Sequence, residues 1–596
     1  MTSTSSAVSR DLGPLPEWDL GDLYPSPDAP ELERDLAVAA ADAQAFEAAY
    51  AGKLAEVSGD VFGEAIARYE RICEIIYRAM SYASLWYSGD VSDPARGGFL
   101  QGMQERVTDI SASTLFFTLE INRLDDAVLE AKLASARAAH YAPWLRDVRV
   151  YRPHQLSDEL ERYVHDKSVA GRASWSRLFD ETMARLRFPL DGKELTSAEV
   201  LHLLSDRDGA RRKAAALSLG KVLGENAALF ALITNTLAKD KEVEDKWRHY
   251  ARPWSYRNLS NQVEDAVVDA LVDAVKGCYD QLSHRYYKLK AKWFGVEALD
   301  YWDRNAPLPD GDDRDYSWGE AKETVLGAYQ RFSPELASVG RHFFDKPWID
   351  APVRPGKSPG AFAHPTVPSA HPYLLVNFQG KTRDVMTLAH ELGHGCHQML
   401  AAAQGCLMAD TPLTLAETAS VFGEMLTFQS MLAAEADPKR RKSLLAGKVE
   451  DMINTVVRQT AFYDFERRLH SERTTGELSP DRIGELWMAV QGESLGPALR
   501  LHDEYKAFWT YIPHFVHSPF YVYAYAFGDC LVNSLYSVYR SGAPGFQGKY
   551  LDMLKAGGTL RHQDLLKPFG LDATDPAFWR KGLDVVAGMI DELEAM

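Results

Sequence analysis

The sequence predicts a mainly α-helical fold with one small β-sheet. Through most of the 596 residues, apolar side chains recur at the spacing of three and four positions that places them on one face of a helix. Only residues 345–380 combine closely spaced prolines with a short apolar run, which is typical of a strand. No internal repeat of fixed period is present. These three observations together define the fold class.

The first 195 residues divide into an extended segment and a helical region. Residues 1–30 are punctuated by proline and glycine, which predicts an extended chain. Residues 31–195 form a predicted N-terminal helical region, and the sequence Arg-Phe-Pro-Leu-Asp-Gly at 187–192 indicates a turn or short strand within it. The helices predicted here cover 32–54, 61–87, a stretch that ends near 116, 128–140 and 158–187.

Residues 196–596 form a second predicted region, which contains the candidate catalytic residues. The pair Arg252-Pro253 interrupts its helical pattern, and the polar, proline-containing residues 301–315 predict a loop. The helices predicted in this region cover 197–247, 263–293, 318–344, 411–433, 437–474, 482–496, 514–540 and 576–595, in addition to the helix that carries residues 390–394.

The predicted β region lies directly before that last helix. Its apolar run at 373–378 predicts a strand, and Gly380 ends it. This strand has two alternative roles. It can present an edge to which an extended peptide adds through main-chain hydrogen bonds, or it can be a buried strand of the core.

The composition excludes some classes of function. The net charge is −18 and the isoelectric point is about 5.5, which argues against nucleic acid or an anionic membrane as the main partner. No apolar stretch of about 18 residues predicts a membrane span, and residues 1–14 lack the pattern of a secretory signal. The five cysteines are scattered, as is typical of free thiols in a reducing compartment. We therefore expect a cytoplasmic protein, and the sequence leaves its oligomeric state open.

Residues 390–394 read His-Glu-Leu-Gly-His. Side chains four positions apart on an α-helix lie about one turn from each other on one face, so His390 and His394 can bind one cation together. Glu391 points about 100° further round the helix, close enough to take a proton from a water molecule on the metal. Zinc lowers the pKa of such a water to about 7. The pattern therefore predicts the chemistry of a zinc peptidase.

The residues around this motif favour a packed helix over a chance match on an exposed one. Asp384 is the predicted N-cap, and apolar residues at helical spacing follow it. Gly393 and Gly395 each cost about 1 kcal/mol relative to alanine inside a helix. We expect a metal, a substrate or a second helix close by, which would require small residues here.

A catalytic zinc site usually has three protein ligands and one position open to water. A histidine six residues after His394 is excluded, because position 400 is Leu400. Glu417 is the better candidate, since it lies in an apolar helical stretch that follows the motif after a short loop. Glu424, seven residues later on the same stripe, is expected to accept a hydrogen bond from a ligand imidazole. His397 is interpreted as a hydrogen-bonded neighbour rather than a fourth ligand.

The segment 513–525 is rich in hydrogen-bond donors. His514 and His517 lie one turn apart, and Tyr521, Tyr523 and Tyr525 follow. Imidazole and phenol groups can donate to a carbonyl oxygen that gains negative charge during hydrolysis. Tyrosine-rich segments are also common in half-buried packing, so packing is the alternative for each of these residues.

Several segments resemble those of the oligoendopeptidase F family, within the thimet-oligopeptidase-like zinc metallopeptidases. They occur in the same order as in that family, and the resemblance is looser over residues 1–200. The segments are 18–24 (Trp-Asp-Leu-Gly-Asp-Leu-Tyr), 384–394 (Asp-Val-Met-Thr-Leu-Ala-His-Glu-Leu-Gly-His), 417–420 (Glu-Thr-Ala-Ser), 519–523 (Pro-Phe-Tyr-Val-Tyr), 554–558 (Leu-Lys-Ala-Gly-Gly) and 575–579 (Asp-Pro-Ala-Phe-Trp).

The resemblance implies a mostly helical, two-lobed body with one zinc ion per chain at the bottom of a deep channel. It implies that His390, His394 and Glu417 are the zinc ligands and that Glu391 is the general base. The implied substrates are short unstructured oligopeptides, hydrolysed at internal bonds by a zinc-bound water that Glu391 activates.

The resemblance also implies that two residues of segment 513–525 stabilise the transition state. These are His514 and Tyr523, with Tyr521 and Tyr525 as alternative alignments of the tyrosine. The same five-residue motif also occurs in zinc carboxypeptidases and dipeptidases, which need a basic group to hold a terminal carboxylate. An inactive peptide-binding scaffold is a further alternative, against which the intact set of predicted ligands argues.

Overall fold

The chain folds mainly into α-helices, as predicted. A computed structural model describes residues 12–168, 170–309, 311 and 314–596, so the first residues of the predicted extended segment and three residues of the predicted loop lie outside the described residues. Residues 12–29 contain no regular element except one 3-10 turn at Leu20–Asp22. The helices that precede the first strand are α1 (Pro30–Tyr50), α2 (Gly59–Gly89), α3 (Pro94–Ala112), α4 (Leu115–Arg123), α5 (Asp126–Leu133), α6 (Ala136–His140), α7 (Ala142–Arg149), α8 (Asp158–Ser168) and α9 (Arg172–Arg185).

Eighteen further helices follow among the described residues. They are α10 (Ser197–His202), α11 (Gly209–Glu225), α12 (Ala227–Trp247), α13 (Ser255–Ser260), α14 (Asp265–Lys276), α15 (Ser283–Trp293), α16 (Trp318–Phe332), α17 (Pro334–Asp345), α18 (Thr382–Ala401), α19 (Leu413–Ala434), α20 (Pro438–Ile453), α21 (Gln459–Arg473), α22 (Pro480–Leu495), α23 (His514–His517), α24 (Tyr523–Arg540), α25 (Phe546–Lys555), α26 (His562–Leu566) and α27 (Pro576–Ala595). Within the described ranges, no single helix meets the length and hydropathy of a membrane span, and α11 with α12 meets them only as a pair bent by 63°.

Three small sheets accompany the helices in the described chain. Strands β1 (Phe188–Leu190) and β2 (Lys193–Leu195) form an antiparallel hairpin, where the sequence predicted a turn or short strand. Strands β3 (Leu299–Asp300) and β7 (Leu499–Arg500) pair in parallel. The third sheet has the order β4 (Ile349–Asp350), β6 (Tyr373–Leu375), β5 (Phe362–His364) and lies beside α18, as predicted.

The position of β6 decides between its two predicted roles. It pairs in parallel with β4 on one side and antiparallel with β5 on the other. All three of its residues are buried. It is therefore a core strand without a free edge, and the expectation that it offers an edge to a peptide is corrected. The two outer strands are β4, whose residues are buried, and β5, whose residues are half-buried.

Buried apolar side chains form two separate clusters. One cluster is built mainly from residues 23–145, with Tyr373 and Met408 added from later in the chain. The other runs from Phe179 to Leu593 and surrounds α18, α19 and α24. Two cores within a mainly helical chain agree with the two-lobed body that the resemblance implies. The predicted boundary between residues 195 and 196 stays a prediction.

Several long predicted helices are interrupted in the structure. The predicted helix 437–474 contains a π-helical turn at Asn454–Arg458, between α20 and α21. The predicted helix 514–540 breaks between α23 and α24, at residues 518–522. Pro519 has no N–H to donate there, and Phe520 adopts a positive φ of 59° that does not continue a helix. Both interruptions border the candidate site.

Candidate metal centre

Helix α18 presents the His-Glu-Leu-Gly-His motif. Its N-cap is Lys381, and Asp384 in its first turn accepts hydrogen bonds at 2.9 Å from the backbone N–H groups of Gln379 and Lys381. Asp384 therefore caps the helix by reaching back over its first turn. The prediction that Asp384 is itself the N-cap residue is wrong. Leu388 and Leu392 are fully buried. Burial of this apolar face directs the histidines toward α19.

The structure brings the three predicted ligands together. Nε2 of His390 lies 3.4 Å from Oε2 of Glu417, and Nε2 of His394 lies 3.5 Å from the same oxygen. One ligand atom from each residue lies within 4.8 Å of the other two. The centroids of the two imidazole rings are 4.9 Å apart. Such spacing is the expected result of two histidines one helical turn apart, with a carboxylate facing both.

Two glycines make this close arrangement possible. A Cβ atom on Gly393 would lie 2.5 Å from the carbonyl oxygen of Ala419, so a larger residue would push α18 and α19 apart. A Cβ atom on Gly528 of α24 would lie 2.8 Å from Cβ of Glu417. The second helix that the sequence led us to expect near Gly393 is therefore α19, and α24 supports Glu417 from behind.

Neighbouring polar side chains orient the ligands. Oε2 of Glu424 lies 3.2 Å from Nδ1 of His390, as predicted, and Oε1 of Glu424 accepts a hydrogen bond from Nζ of Lys448 at 2.5 Å. The hydroxyl of Ser420 donates to Oε2 of Glu417 at 2.6 Å. A ligand histidine whose second nitrogen is held by a carboxylate has a fixed ring orientation and tautomer.

Burial and charge act against each other at these groups. Burial opposes the charged form of His390, but the hydrogen bond to Glu424 and the charges of Glu417, Glu424 and Glu391 outweigh it and raise the pKa of His390 to about 9. Burial also opposes ionisation of Glu424, yet Lys448 and His390 lower the pKa of Glu424 to about 2. The carboxylates thus create a negative potential around the imidazole nitrogens, which favours a bound cation.

The other two histidines of α18 are neutral because they are buried. Burial lowers the pKa values of His394 and His397 to about 4, although the backbone of Ala416 acts on both in the opposite direction. At His394 the charge of Glu417 also opposes it. His397 is not part of the converging group of ligand atoms. Its predicted role as a hydrogen-bonded neighbour agrees with this position.

Glu391 lines the same cavity as His390 and Glu417 and is only 7% exposed. Burial raises the pKa of its carboxyl to about 7, while His390 and the backbone N–H of Ala363 act in the opposite direction. Ala363 is the central residue of β5, an outer strand of the sheet that lies beside α18. A carboxyl group with a pKa near neutrality can both accept and return a proton.

A cavity of about 780 Å³ opens in front of these groups. Its walls come from α18, α19, α20, the π-helical turn and α24. Tyr525 is the residue of segment 513–525 that lines it. A separate cavity of about 420 Å³ lies beside α12 and α21 and is lined by none of the predicted site residues.

The structure does not bring Tyr523 to this cavity. Tyr523 is fully buried, its hydroxyl accepts a hydrogen bond from Asn261 at 2.9 Å, and its ring packs against Tyr463. Tyr525 faces the cavity instead, and Tyr521 hydrogen-bonds to it. Because α24 begins at Tyr523, residues 523 and 525 point to opposite sides of the helix. The placement of Tyr523 at the site is therefore corrected to Tyr525.

The two histidines of α23 have different surroundings. Nε2 of His514 lies 3.3 Å from the hydroxyl of Tyr525, so His514 stands directly behind the cavity wall. Burial, together with the charges of His517 and Arg458, lowers the pKa of His514. His517 faces away and lies 2.8 Å from a carboxylate oxygen of Asp180. Only His514 is close enough to act with Tyr525.

Sequence reasoning missed several residues of the site. Lys448 and Ala363 come from elements far along the chain, and no local motif marks them. Ser420 had a usable signal, because residues three apart on a helix can hydrogen-bond and Ser420 follows Glu417 at that spacing. Arg458 also lines the cavity and carried no signal in the sequence, since its position depends on an unpredicted π-helical turn.

The group of donors fits zinc. Two imidazole nitrogens and one carboxylate oxygen are donors that catalytic zinc accepts, with one further position left for water or substrate. Glu424 completes the set, because it holds the second nitrogen of His390. In the part of the chain that the structure describes, no other group of three His, Cys, Asp or Glu side chains converges in this way.

Comparisons with known proteins agree with this geometry. The model of peptidase family M3 matches residues 202–585, and the model described as oligopeptidase F matches residues 120–188. Oligopeptidase PepF of Bacillus subtilis is 26% identical over 600 residues, which cover 97% of this chain and 87% of that protein. An oligoendopeptidase F homolog of Borreliella burgdorferi is 25% identical over 583 residues, which cover 97% and 98%. The crystal structure of oligoendopeptidase-F from Enterococcus faecium matches with a TM-score of 0.71 at 23% identity, and covers 95% of this chain and 97% of that one.

The match to peptidase family M3 covers more than half of the chain and includes every residue of the candidate metal centre. The match to the Enterococcus structure extends over both hydrophobic clusters. The chain therefore belongs to peptidase family M3, within its oligoendopeptidase F group, and is a peptidase.

Proposed function

We propose that this peptidase is a zinc-dependent endopeptidase that hydrolyses internal bonds of short unstructured oligopeptides. One observation carries the proposal. The ligand atoms of His390, His394 and Glu417 converge, and His390, Glu417 and the buried Glu391 line one cavity. A hydrolytic zinc site requires this combination of three donors and one adjacent base.

The three donors would hold one zinc ion per chain. When bound, zinc supplies Lewis acidity, which polarises a peptide carbonyl and lowers the pKa of water to about 7. The protein contributes the orientation of the donors through Glu424, Lys448 and Ser420. It also contributes a cavity whose buried carboxylates attract a cation.

Glu391 serves as the general base and then as the general acid. It takes one proton from the attacking water and later gives a proton to the nitrogen of the leaving amine, so the carboxylate is regenerated in each cycle. The backbone N–H of Ala363 favours the ionised form of this carboxyl, which is the form that accepts a proton.

Tyr525 and His514 supply hydrogen bonds to the carbonyl oxygen of the substrate. Tyr525 lines the cavity, and His514 lies 3.3 Å from its hydroxyl. Because burial lowers the pKa of His514, its imidazole is neutral near pH 7 and keeps one N–H to donate. Donors fixed in advance favour the oxygen when it carries negative charge over the uncharged carbonyl.

The sheet supports the proposed substrate class. Strand β5 pairs with β6 on one side, and the N–H of Ala363 faces Glu391 on the other. An extended peptide that lies along this outer strand would place a carbonyl next to the base. Main-chain recognition of this kind requires an unfolded substrate and tolerates many side chains. The names of the relatives from Bacillus and Borreliella, oligopeptidase and oligoendopeptidase, agree with it.

We also propose a cytoplasmic location. All five cysteines are free thiols, and Cys73, Cys278, Cys396 and Cys530 are buried, as is typical of proteins from reducing compartments. The net charge of −18 makes nucleic acid an unfavourable partner.

The experiment that tests the proposal compares wild-type protein with Glu391→Gln on a library of peptides of different lengths. We expect cuts at internal bonds, loss of cutting with a chelator, and recovery with zinc. Glu391→Gln should bind zinc normally and lose about 10²–10⁴ in kcat, the usual contribution of general acid–base catalysis. Near-normal turnover by Glu391→Gln would refute the mechanism. Release of only C-terminal residues or dipeptides would favour a carboxypeptidase or dipeptidase instead.

A further inference from the structure

The π-helical turn Asn454–Arg458 forms part of the wall of the metal cavity. Asn454 and Arg458, at its two ends, both line that cavity. Single π-helical turns inside long α-helices are frequent at functional sites, because the wider turn changes which side chains face inward. Neither residue has a role in the proposed hydrolysis.

Arg458 is held in place by uncharged groups. Its Nη2 donates to the hydroxyl of Tyr511 at 3.2 Å, and its guanidinium lies 4.8 Å from the ring centroid of Phe462. Its charge also acts on the buried phenols of Tyr287 and Tyr505. Throughout the described ranges, no carboxylate lies within ion-pair distance of Arg458. A guanidinium fixed in this way keeps most of its donors for another partner.

Two polar atoms at this turn are buried and have no hydrogen-bond partner. They are Nε of Arg458, a donor, and Oδ1 of Asn454, an acceptor. Buried polar groups of folded proteins are nearly always hydrogen-bonded, because an unsatisfied one loses its bonds to water without replacement. Because Asn454 and Arg458 both line the cavity, a ligand that enters it can offer a donor and an acceptor to these two side chains.

Two other cations of the cavity already have anionic partners. Nζ of Lys448 is bound to Glu424, and Arg314 forms an ion pair with Glu320 at 3.0 Å. Arg383, two turns before His390 on α18, is exposed at the rim. Arg458 differs from Lys448 and Arg314 because no carboxylate of the described residues lies within ion-pair distance of it, and from Arg383 because it is partly buried and preorganised.

We propose that Arg458 binds a carboxylate of the peptide substrate and that Asn454 accepts a main-chain N–H beside it. The inference rests on the proposed function, because it assigns part of the same cavity to substrate recognition. A planar guanidinium binds a carboxylate through two parallel hydrogen bonds, which gives both strength and orientation. The carboxylate is that of the C-terminus or that of an acidic side chain. Arg458 is thus the basic group that fixes where a short peptide lies relative to the metal.

The test measures binding separately from hydrolysis. Zinc-loaded Glu391→Gln protein is titrated calorimetrically with acetylated peptides that end in a free acid or in an amide, and that carry glutamate or glutamine inside. We expect one acidic form to bind about tenfold or more tightly than its amide counterpart, the strength of a charge-assisted hydrogen bond. The form that shows this preference identifies the source of the carboxylate.

Variants at Arg458 complete the test. In Arg458→Gln the preference for the acidic peptide should disappear. Arg458→Lys keeps the positive charge but lacks the paired N–H groups of a guanidinium, so its preference should fall to an intermediate value. Arg383→Gln is the matched control, since it removes an arginine from the same cavity and should leave the preference intact. Thermal unfolding of each variant checks that it folds. If Arg458→Gln does not fold, the binding preference of Arg458→Lys decides whether the proposal holds.

Three results would overturn the proposal. They are equal binding of acid and amide peptides by the parent protein, an unchanged preference in Arg458→Gln or Arg458→Lys, and loss of the preference only in Arg383→Gln. Failure of the proposed function looks different. A protein with intact Glu391 would then leave every peptide uncut while the zinc-loaded Glu391→Gln protein still prefers the acidic form.

Discussion

Gly528 provides a sensitive test of how the ligand Glu417 is held. Alanine at this position would place a Cβ atom 2.8 Å from Cβ and 3.1 Å from Cγ of Glu417. Carbon atoms in contact settle at about 3.5–4.0 Å, so Glu417 or α24 must move by roughly 0.7 Å. Distances in a metal site tolerate only about 0.2 Å. The substitution therefore displaces one ligand by several times the tolerance of the site.

The expected result of Gly528→Ala is weaker zinc binding in a folded protein. We expect the dissociation constant for zinc to rise about 10- to 100-fold, the effect of disturbing groups that orient a ligand. The crowding costs about 1–3 kcal/mol of stability, and alanine returns about 1 kcal/mol through its higher helix propensity. The net loss should therefore be at most about 2 kcal/mol, which thermal unfolding of the zinc-free protein measures.

Gly588→Ala is the matched control for this substitution. Gly588 also lies inside a helix, α27, but a Cβ atom there meets no atom within 4 Å. This variant should bind zinc normally and gain up to about 1 kcal/mol of stability. Competition with a coloured chelator gives the zinc affinity of both variants. Equal affinity in Gly528→Ala, Gly588→Ala and wild type would refute the reasoning.

The remaining predictions concern groups around the site. Tyr525→Phe should lower kcat more than it raises KM, because it removes a contact made mainly in the transition state. Tyr523→Phe should instead lose about 1 kcal/mol of stability, because the hydrogen bond to Asn261 is lost, and its kcat should change little. Steady-state kinetics and thermal unfolding separate these two results. Lys448→Met should weaken zinc binding about 10- to 100-fold, because Glu424 loses the cation that fixes it, and Lys448→Arg should restore part of that affinity. Burial raises the pKa of Glu466 in the folded protein to about 8, so the unfolded chain releases this proton at lower pH. The stability of the wild-type protein should therefore decrease as pH rises from about 4.5 toward 8. Thermal unfolding at pH 5 and pH 8 should show a smaller decrease in Glu466→Gln than in wild type.

Each of these has a contradicting outcome. A larger kcat loss in Tyr523→Phe than in Tyr525→Phe would restore the sequence-based choice of tyrosine. Normal zinc affinity in Lys448→Met would show that Glu424 is held without Lys448. An identical pH dependence of stability in Glu466→Gln and wild type would show that Glu466 is charged in the folded protein near neutral pH.

The grouping of the three proposed ligands was predictable because helix geometry and helix packing relate them. His390 and His394 share a face at any position of a straight helix, and the apolar stretch around Glu417 required a second packed helix nearby. The structure brings all three together. The role of Glu424 was predictable for the same reason, since seven residues bring it back to the stripe of Glu417.

The choice of tyrosine was not predictable, because it depends on where a helix begins. The prediction of one helix over 514–540 gave no break at Pro519 and Phe520. The break resets the rotation of α24, so Tyr523 enters the core and Tyr525 faces the cavity. A positive φ at a phenylalanine has no sequence signal of the kind that glycine gives.

The free edge of the sheet was equally inaccessible to sequence reasoning. The apolar run at 373–378 identified a strand, but its two neighbours come from 349–350 and 362–364, between prolines and turns. Pairing between strands depends on contacts that are distant along the chain. The sequence therefore located the sheet correctly and gave no information about which strands lie at its edges.

The most direct test of the central claim is the zinc content and the metal position in crystals of the protein grown with zinc. The account predicts one zinc ion per chain, with anomalous scattering located between His390, His394 and Glu417, and loss of that zinc in His394→Ala. Zinc bound elsewhere, or a full complement of zinc in His394→Ala, would contradict it.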